Sequence, residues 1–343
     1  MKQTVLILFA FILSVLSSCD QTPTVVNAKG APYEIVVVMD IDVWKSHTGD
    51  VVREELGAPI PYLPQDESSM RYSYTKPNQF EGYMMFFRNV LIVNVDNSQF
   101  TKVSLLKSYN KWANNQTVLY LNAPGEKMLE DFLIENSGLL VKYYTKEEMR
   151  RAGELLKRSY SQKVMDDAKE KFGITINVPE DITSFKHGED CMWFSNTASV
   201  GRMDLLIYSF PFTDKNTFTL DYLVAKRDSV ARIMVPGSFE GSYMSTEKRV
   251  VSYSSTTLNG KYCGVLRGLW RTEGGDMMGG PFVSYARIDE QNQRVIVTEG
   301  FVYEPKKEKK NYIRRLEAAL KTTRFINEQE ISNETDLIHE EFE

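Results

Sequence analysis

The sequence predicts an α+β fold with mixed or mostly antiparallel sheets and packed helices. Three observations point there. Short β-branched runs such as Glu34 to Met39 (EIVVVM) and Asn89 to Val95 (NVLIVNV) read as buried strands. Several segments carry apolar residues at three- and four-residue steps, the mark of an amphipathic helix. Beyond Gly173, long strand candidates follow one another with few helices between them, which favours antiparallel pairing.

Taken in order, the chain opens on Thr4 to Leu16 (TVLILFAFILSVL), an apolar core short of the roughly 20 residues a spanning helix needs. It ends in Leu16-Ser17-Ser18-Cys19, which has the form of a lipobox: a branched apolar residue, two small residues and a cysteine whose thiol can be diacylated. Residues 1–18 are therefore expected to be a lipoprotein signal peptide and Cys19 the lipidation site. Two or more acyl chains hold a protein stably at a membrane. The expected location is the cell envelope, on the periplasmic face of the inner or outer membrane or at the cell surface. Residues 19–32 form a polar, breaker-rich tether.

An N-terminal α/β half over residues 33–172 follows. After the first strand, a helix is expected over Gly49 to Leu56, stopped by Gly57. Alternating Met70, Tyr72 and Tyr74 suggest a strand, and Asn89 to Val95 and Thr117 to Leu121 two more. Pro124 to Asn136 opens a helix. The strongest helix is expected from Lys146 to Phe172, with Thr145 and Glu148 as a capping box and Gly173 as its stop.

The C-terminal half, residues 173–327, is richer in strands: Ile174 to Val178, Cys191 to Phe194, Asp204 to Phe210, Lys261 to Arg271, Phe282 to Asp289 and Arg294 to Tyr303. Helices are expected over Thr219 to Met234 and Lys306 to Thr323. Arg88 and Arg202 each precede a strand, so two related halves are one reading. Residues 328–343 form an acidic tail with seven acidic residues and no Lys or Arg, expected to fray.

Removing the signal deletes Lys2, leaving 40 basic residues against 46 acidic ones, a net of −6. That balance argues against nucleic acid as a partner, which needs a basic face. Cys191 and Cys263 read as buried free thiols, although spacing alone leaves a disulfide open.

Catalytic signatures are sparse. His187, Asp190 and Cys191 cluster in HGEDC, but no second ligand pair completes a zinc site, so neither metal nor cofactor is expected. The basic run of Lys306, Lys307, Lys309 and Lys310 with Arg314 and Arg315 reads as a solvated helix face, with anionic head groups as the functional alternative. The glycine-rich segment Gly274 to Gly280 joins two strands. Its neighbours Trp270, Arg271, Asp276, Met277, Met278 and Phe282 are the expected contact surface, since adaptable methionines and aromatics supply apolar area.

The combination of LSSC, GLWRTEGGDMMGGPFVSYARID, VIVTEGFVYEP and the closing basic helix resembles an uncharacterised domain-of-unknown-function family of lipoproteins from Bacteroidetes-type Gram-negative bacteria. The resemblance implies an envelope lipoprotein and carries no activity, ligand or catalytic residue. The expected function is a lipid-anchored module that binds a protein or small-molecule partner and is not an enzyme. The alternatives are an envelope hydrolase using Asp40 and Asp42 or a His187-centred site, and a structural subunit of an envelope complex.

Overall fold

The computed structural model describes residues 26–275 and 277–328. The signal segment, Cys19, Asp276 and the tail beyond Glu328 lie outside the described residues.

The first half contains a five-stranded sheet of β1 (Glu34–Val38), β2 (Arg71–Thr75), β3 (Asn89–Val95), β4 (Ser104–Tyr109) and β5 (Thr117–Ala123), in the order β2-β1-β3-β5-β4. Four strands run parallel and β4 pairs antiparallel at the edge. Ile35, Val37, Leu91 and Leu119 bury one face against α2 (His47–Gly57), α3 (Glu126–Glu135) and α4 (Leu139–Arg158). Val36, Val38, Val90 and Val118 bury the other face beneath Phe80, Phe87 and Trp112. Burial on both faces is why these strands read as continuous apolar runs. The short helix α1 (Ile41–Lys45) precedes α2, so helix starts earlier than the expected Gly49. The edge strand β4 escaped the sequence reading because its residues are half-buried or exposed, leaving no apolar run.

The second half is a seven-stranded antiparallel sheet in the order β10-β11-β12-β13-β9-β8-β7. Its strands are β7 (Ser184–His187), β8 (Cys191–Ser195), β9 (Arg202–Pro211), β10 (Tyr243–Leu258), β11 (Lys261–Glu273), β12 (Gly279–Asp289) and β13 (Arg294–Tyr303). Alternate residues divide between two cores. Leu205, Ile207, Val265 and Val283 face α5 (Gln162–Phe172) and α7 (Lys310–Leu320), whereas Leu206, Tyr208, Leu266 and Phe282 face α6 (Leu220–Met234). Only Ile174–Thr175 of the expected Ile174 to Val178 strand is extended in a ladder, as β6, paired with β14 (Arg324–Phe325). The longest strand, β10, is an edge strand with a bulge between Thr246 and Val251, and its mixed polar sequence hid it.

The expected helix from Lys146 to Phe172 is two helices. Ser159 is extended, the Ser161 amide donates to Val178 O at 2.9 Å, and the Ser161 hydroxyl donates to Ile182 O at 2.8 Å. The chain therefore turns before α5, although Gly173, at φ 67°, does stop that helix. Thr145 and Glu148 form no capping box, because α4 begins at Leu139. Glu148 instead lies buried in a network in which Arg151 and Asn89 each donate to its Oε1, at 2.9 and 2.7 Å.

The division between halves also shifts from the expected residue 172. Val164, Ala168 and Phe172 of α5 pack in the second core. Helix α4 belongs to both, with Leu140 and Tyr144 in the first core and Met149 and Leu156 in the second. One sheet is mostly parallel and the other antiparallel, so the halves do not repeat a common topology.

Candidate functional site

The two halves enclose a cleft of about 1170 Å³. Helix α4 forms one wall, through Lys142, Lys146, Met149, Arg150, Gly153 and Lys157. Residues of α7, the β10–β11 turn and Pro281 to Val283 complete it. Clefts between domains are preferred places for ligands.

Its charge is unlike that of the chain. Eight cationic residues (Lys142, Lys146, Arg150, Lys157, Arg267, Arg314, Lys321 and Arg324) line it against two carboxylates, Glu154 and Glu317, a balance of +6 in a chain of −5. Arg267 holds Glu317 in a two-pronged pair, Nη1 to Oε2 at 2.9 Å and Nη2 to Oε1 at 2.6 Å, and the Tyr285 hydroxyl donates to Oε1 at 2.9 Å. Burial pushes the Glu317 carboxyl up. The hydrogen bonds and charge of Arg267 outweigh that, with help from Lys321 and Tyr285, and hold it down at about 2. Glu154 pairs with Lys157 at 2.9 Å. Both carboxylates of the lining are thus committed to cations, and Arg150 pairs with Glu147 at 3.0 Å just outside it, which still leaves an excess of positive charge on the lining. Two donors at the cleft, Thr145 Oγ1 and Arg324 Nη1, are buried and have no hydrogen-bond partner among the described residues.

Beside the apolar packing of α4, polar contacts join the halves at the cleft. Glu67, 2% exposed, accepts the backbone amides of Lys309 and Lys310 at 2.7–3.0 Å, supplying the cap that the basic start of α7 lacks. Lys310 Nζ donates to Ser68 O at 3.0 Å and Arg314 Nη1 to Ser69 O at 2.8 Å. The Arg314 guanidinium stacks 4.0 Å from the centre of the Tyr33 ring. Lys309, Lys310 and Arg314 are therefore buried at the junction of the halves, contrary to the expected solvated face. Lys306, Lys307 and Arg315 are exposed.

The expected contact surface around the glycine-rich turn is divided: its two aromatics are interior, whereas Arg271 and Met277 are exposed. Trp270 is 4% exposed and donates through Nε1 to Val302 O at 3.2 Å. Phe282 is 1% exposed, counts among the residues lining the cleft, and carries the Arg227 guanidinium 3.8 Å from its ring centre. Met278 packs half-buried against the core beneath α6. Met277 is 100% exposed. Arg271 pairs with Glu273 at 2.7 Å and Glu247 at 3.5 Å, beside a separate pocket of about 560 Å³. The aromatics that read as contact groups are core residues, because alternation along β11 and β12 turns them inward.

The hydrolase residues lie apart from the cleft. Asp40 Oδ1 caps α1 by accepting the Asp42 amide at 2.8 Å, and both aspartates lie outside the cleft lining. His187 Nε2 lies 3.4 Å from Asp167 Oδ2, on the exposed edge strand β7. No group of three or more His, Cys, Asp or Glu residues arranged to hold a metal ion occurs among the described residues. Cys191 and Cys263 are free thiols in different cores, and three strands separate β8 from β11. At about 4.8 Å per strand step the two lie far beyond bridging distance. Among the described residues, no helix is long and apolar enough to cross a membrane.

The fold and cleft define a two-domain α+β protein with a basic groove at the domain junction. Models of two domains of unknown function match it: DUF8532 over residues 28–157 and DUF4837 over residues 161–322. Their boundary coincides with the break between α4 and α5. A solved structure, that of the Saccharomyces cerevisiae Ran-binding protein Mog1p, aligns with 10% identity and a TM-score of 0.29 over 45% of this chain and 90% of that one. No curated protein matches the chain.

Proposed function

We propose that the protein is a lipid-anchored binding module of the envelope of a Bacteroidetes-type Gram-negative bacterium, tethered through Cys19, which meets its ligand or partner in the cleft between its halves. The cleft carries this reading, because it concentrates a balance of +6 on a chain whose net charge is −5. The lipobox and the motif resemblance support the anchor. The short polar tether leaves the whole body outside the bilayer and free to bind.

A photo-crosslinking side chain placed at Lys146 tests the cleft in cells, with one at the exposed Ile233 as control. An adduct from the cleft position that is lost when Lys142 and Arg150 are reversed in charge is expected. Equal adducts from both positions would overturn the assignment. Labelled palmitate incorporation, lost in Cys19→Ala, tests the anchor separately.

A further inference from the structure

We infer that the ligand of the cleft is an extended acidic peptide segment with carboxylates at alternate residues. This deepens the reading of the cleft as the binding site and rests on it.

The cations are drawn out in a line and do not converge. Lys142, Lys146 and Arg150 follow one another at four-residue steps along α4, with Lys157 beyond them. Four residues of helix advance about 6 Å, and the series spans about 22 Å. A compact anion such as phosphate needs donors aimed at one point. An extended peptide sends every second side chain to the same side, at intervals of about 6.7 Å. Carboxylates at alternate positions therefore keep step with the cations of α4. Apolar groups lie between them, Val141 and Met149 on the helix and Tyr62 and Leu63 opposite, which suits a peptide better than a polyphosphate.

Gly153 is the second, independent observation. A glycine inside a helix costs about 1 kcal/mol relative to alanine. Nothing lies within 4 Å of where its Cβ would sit, so no neighbour in the chain requires the bare Cα. It faces the cleft between Arg150 and Lys157, where the open space admits another backbone at close range.

The chain itself contains a segment of this chemistry. Residues 328–343 hold seven carboxylates, six of them in alternate pairs: Glu328 with Glu330, Glu334 with Asp336, and Glu341 with Glu343. That sequence as a free peptide is one probe; a labelled decapeptide of alternating Glu and Val is the other.

Fluorescence anisotropy with the mature chain is expected to show saturable binding of both peptides that weakens with salt. Lys142→Glu with Lys146→Glu should weaken it at least tenfold. Gly153→Ala should weaken it several-fold while raising the melting temperature, a combination that a purely structural role would not give. Inorganic phosphate and phosphatidylglycerol vesicles should compete poorly. Binding unaffected by all three substitutions would overturn the proposal, as would vesicles or phosphate displacing the peptide. If neither peptide binds but the Lys146 crosslink still forms in cells, the peptide class falls and the cleft assignment stands.

Discussion

Glu67 and Lys309 lie 242 residues apart in sequence, yet both carboxylate oxygens of Glu67 accept the Lys309 backbone amide, at 2.7 and 3.0 Å. One half of the protein thereby closes the open end of a helix in the other. Lysines at a helix start oppose its dipole. A buried carboxylate from outside the helix offsets them.

Glu67→Ala should destabilise the protein by about 1–3 kcal/mol, the cost of leaving buried amides unpaired. Glu67→Gln should cost less, since its carbonyl still accepts. Urea unfolding measures the difference, and amide exchange at Lys309 and Lys310 should accelerate in both variants.

The fully buried Arg227 meets Glu299 through Nη2 at 2.8 Å and Nε at 3.0 Å. Burial raises the Glu299 carboxyl and the Arg227 charge pulls it back. Arg227→Met alone should cost about 3–5 kcal/mol by stranding that carboxylate. Adding Glu299→Leu should recover much of the loss, which a double-mutant cycle reads directly.

Acid stability should register Glu317. Its carboxyl is held at about 2 in the folded chain against an ordinary 4.5. A depressed folded value adds stability that is fully present above 4.5 and fades as pH falls towards 2. The stability gap between the native chain and Glu317→Gln should therefore narrow across that interval and vanish near pH 2, as read by denaturant midpoints at each pH.

Burial pushes the Cys263 thiol up to about 12 and raises that of half-buried Cys191 as well. At pH 8 iodoacetamide should leave Cys263 unmodified and label Cys191 slowly, with both labelled fully in denaturant. Mass spectrometry should show no bridge between them.

Much of the sheet framework was legible. Asn89 to Val95 and Arg294 to Tyr303 are strands with those bounds, because burial on both faces makes most of their residues apolar. Strands β4 and β10 were not, since an edge strand keeps half its surface in water and its residues vary accordingly. The cleft was hidden for two reasons. Net charge averages over the chain, so a local excess vanishes in it. The Thr145–Glu148 pattern imitates a helix start and cut Lys142 away from Lys146 and Arg150, whose four-residue spacing marks one face of α4. Trp270 and Phe282 read as surface groups because glycines near an aromatic look the same beside a loop or a core.

Helix α4 lodges one end in each core, which makes it a strut. A flexible linker would let the halves swing, and each capture would then have to halt that swing. Here the walls can part only if α4 bends or leaves a core. The gap should therefore keep a nearly constant width. Binding in it would need little closing motion, and the two sheets should melt together in one transition.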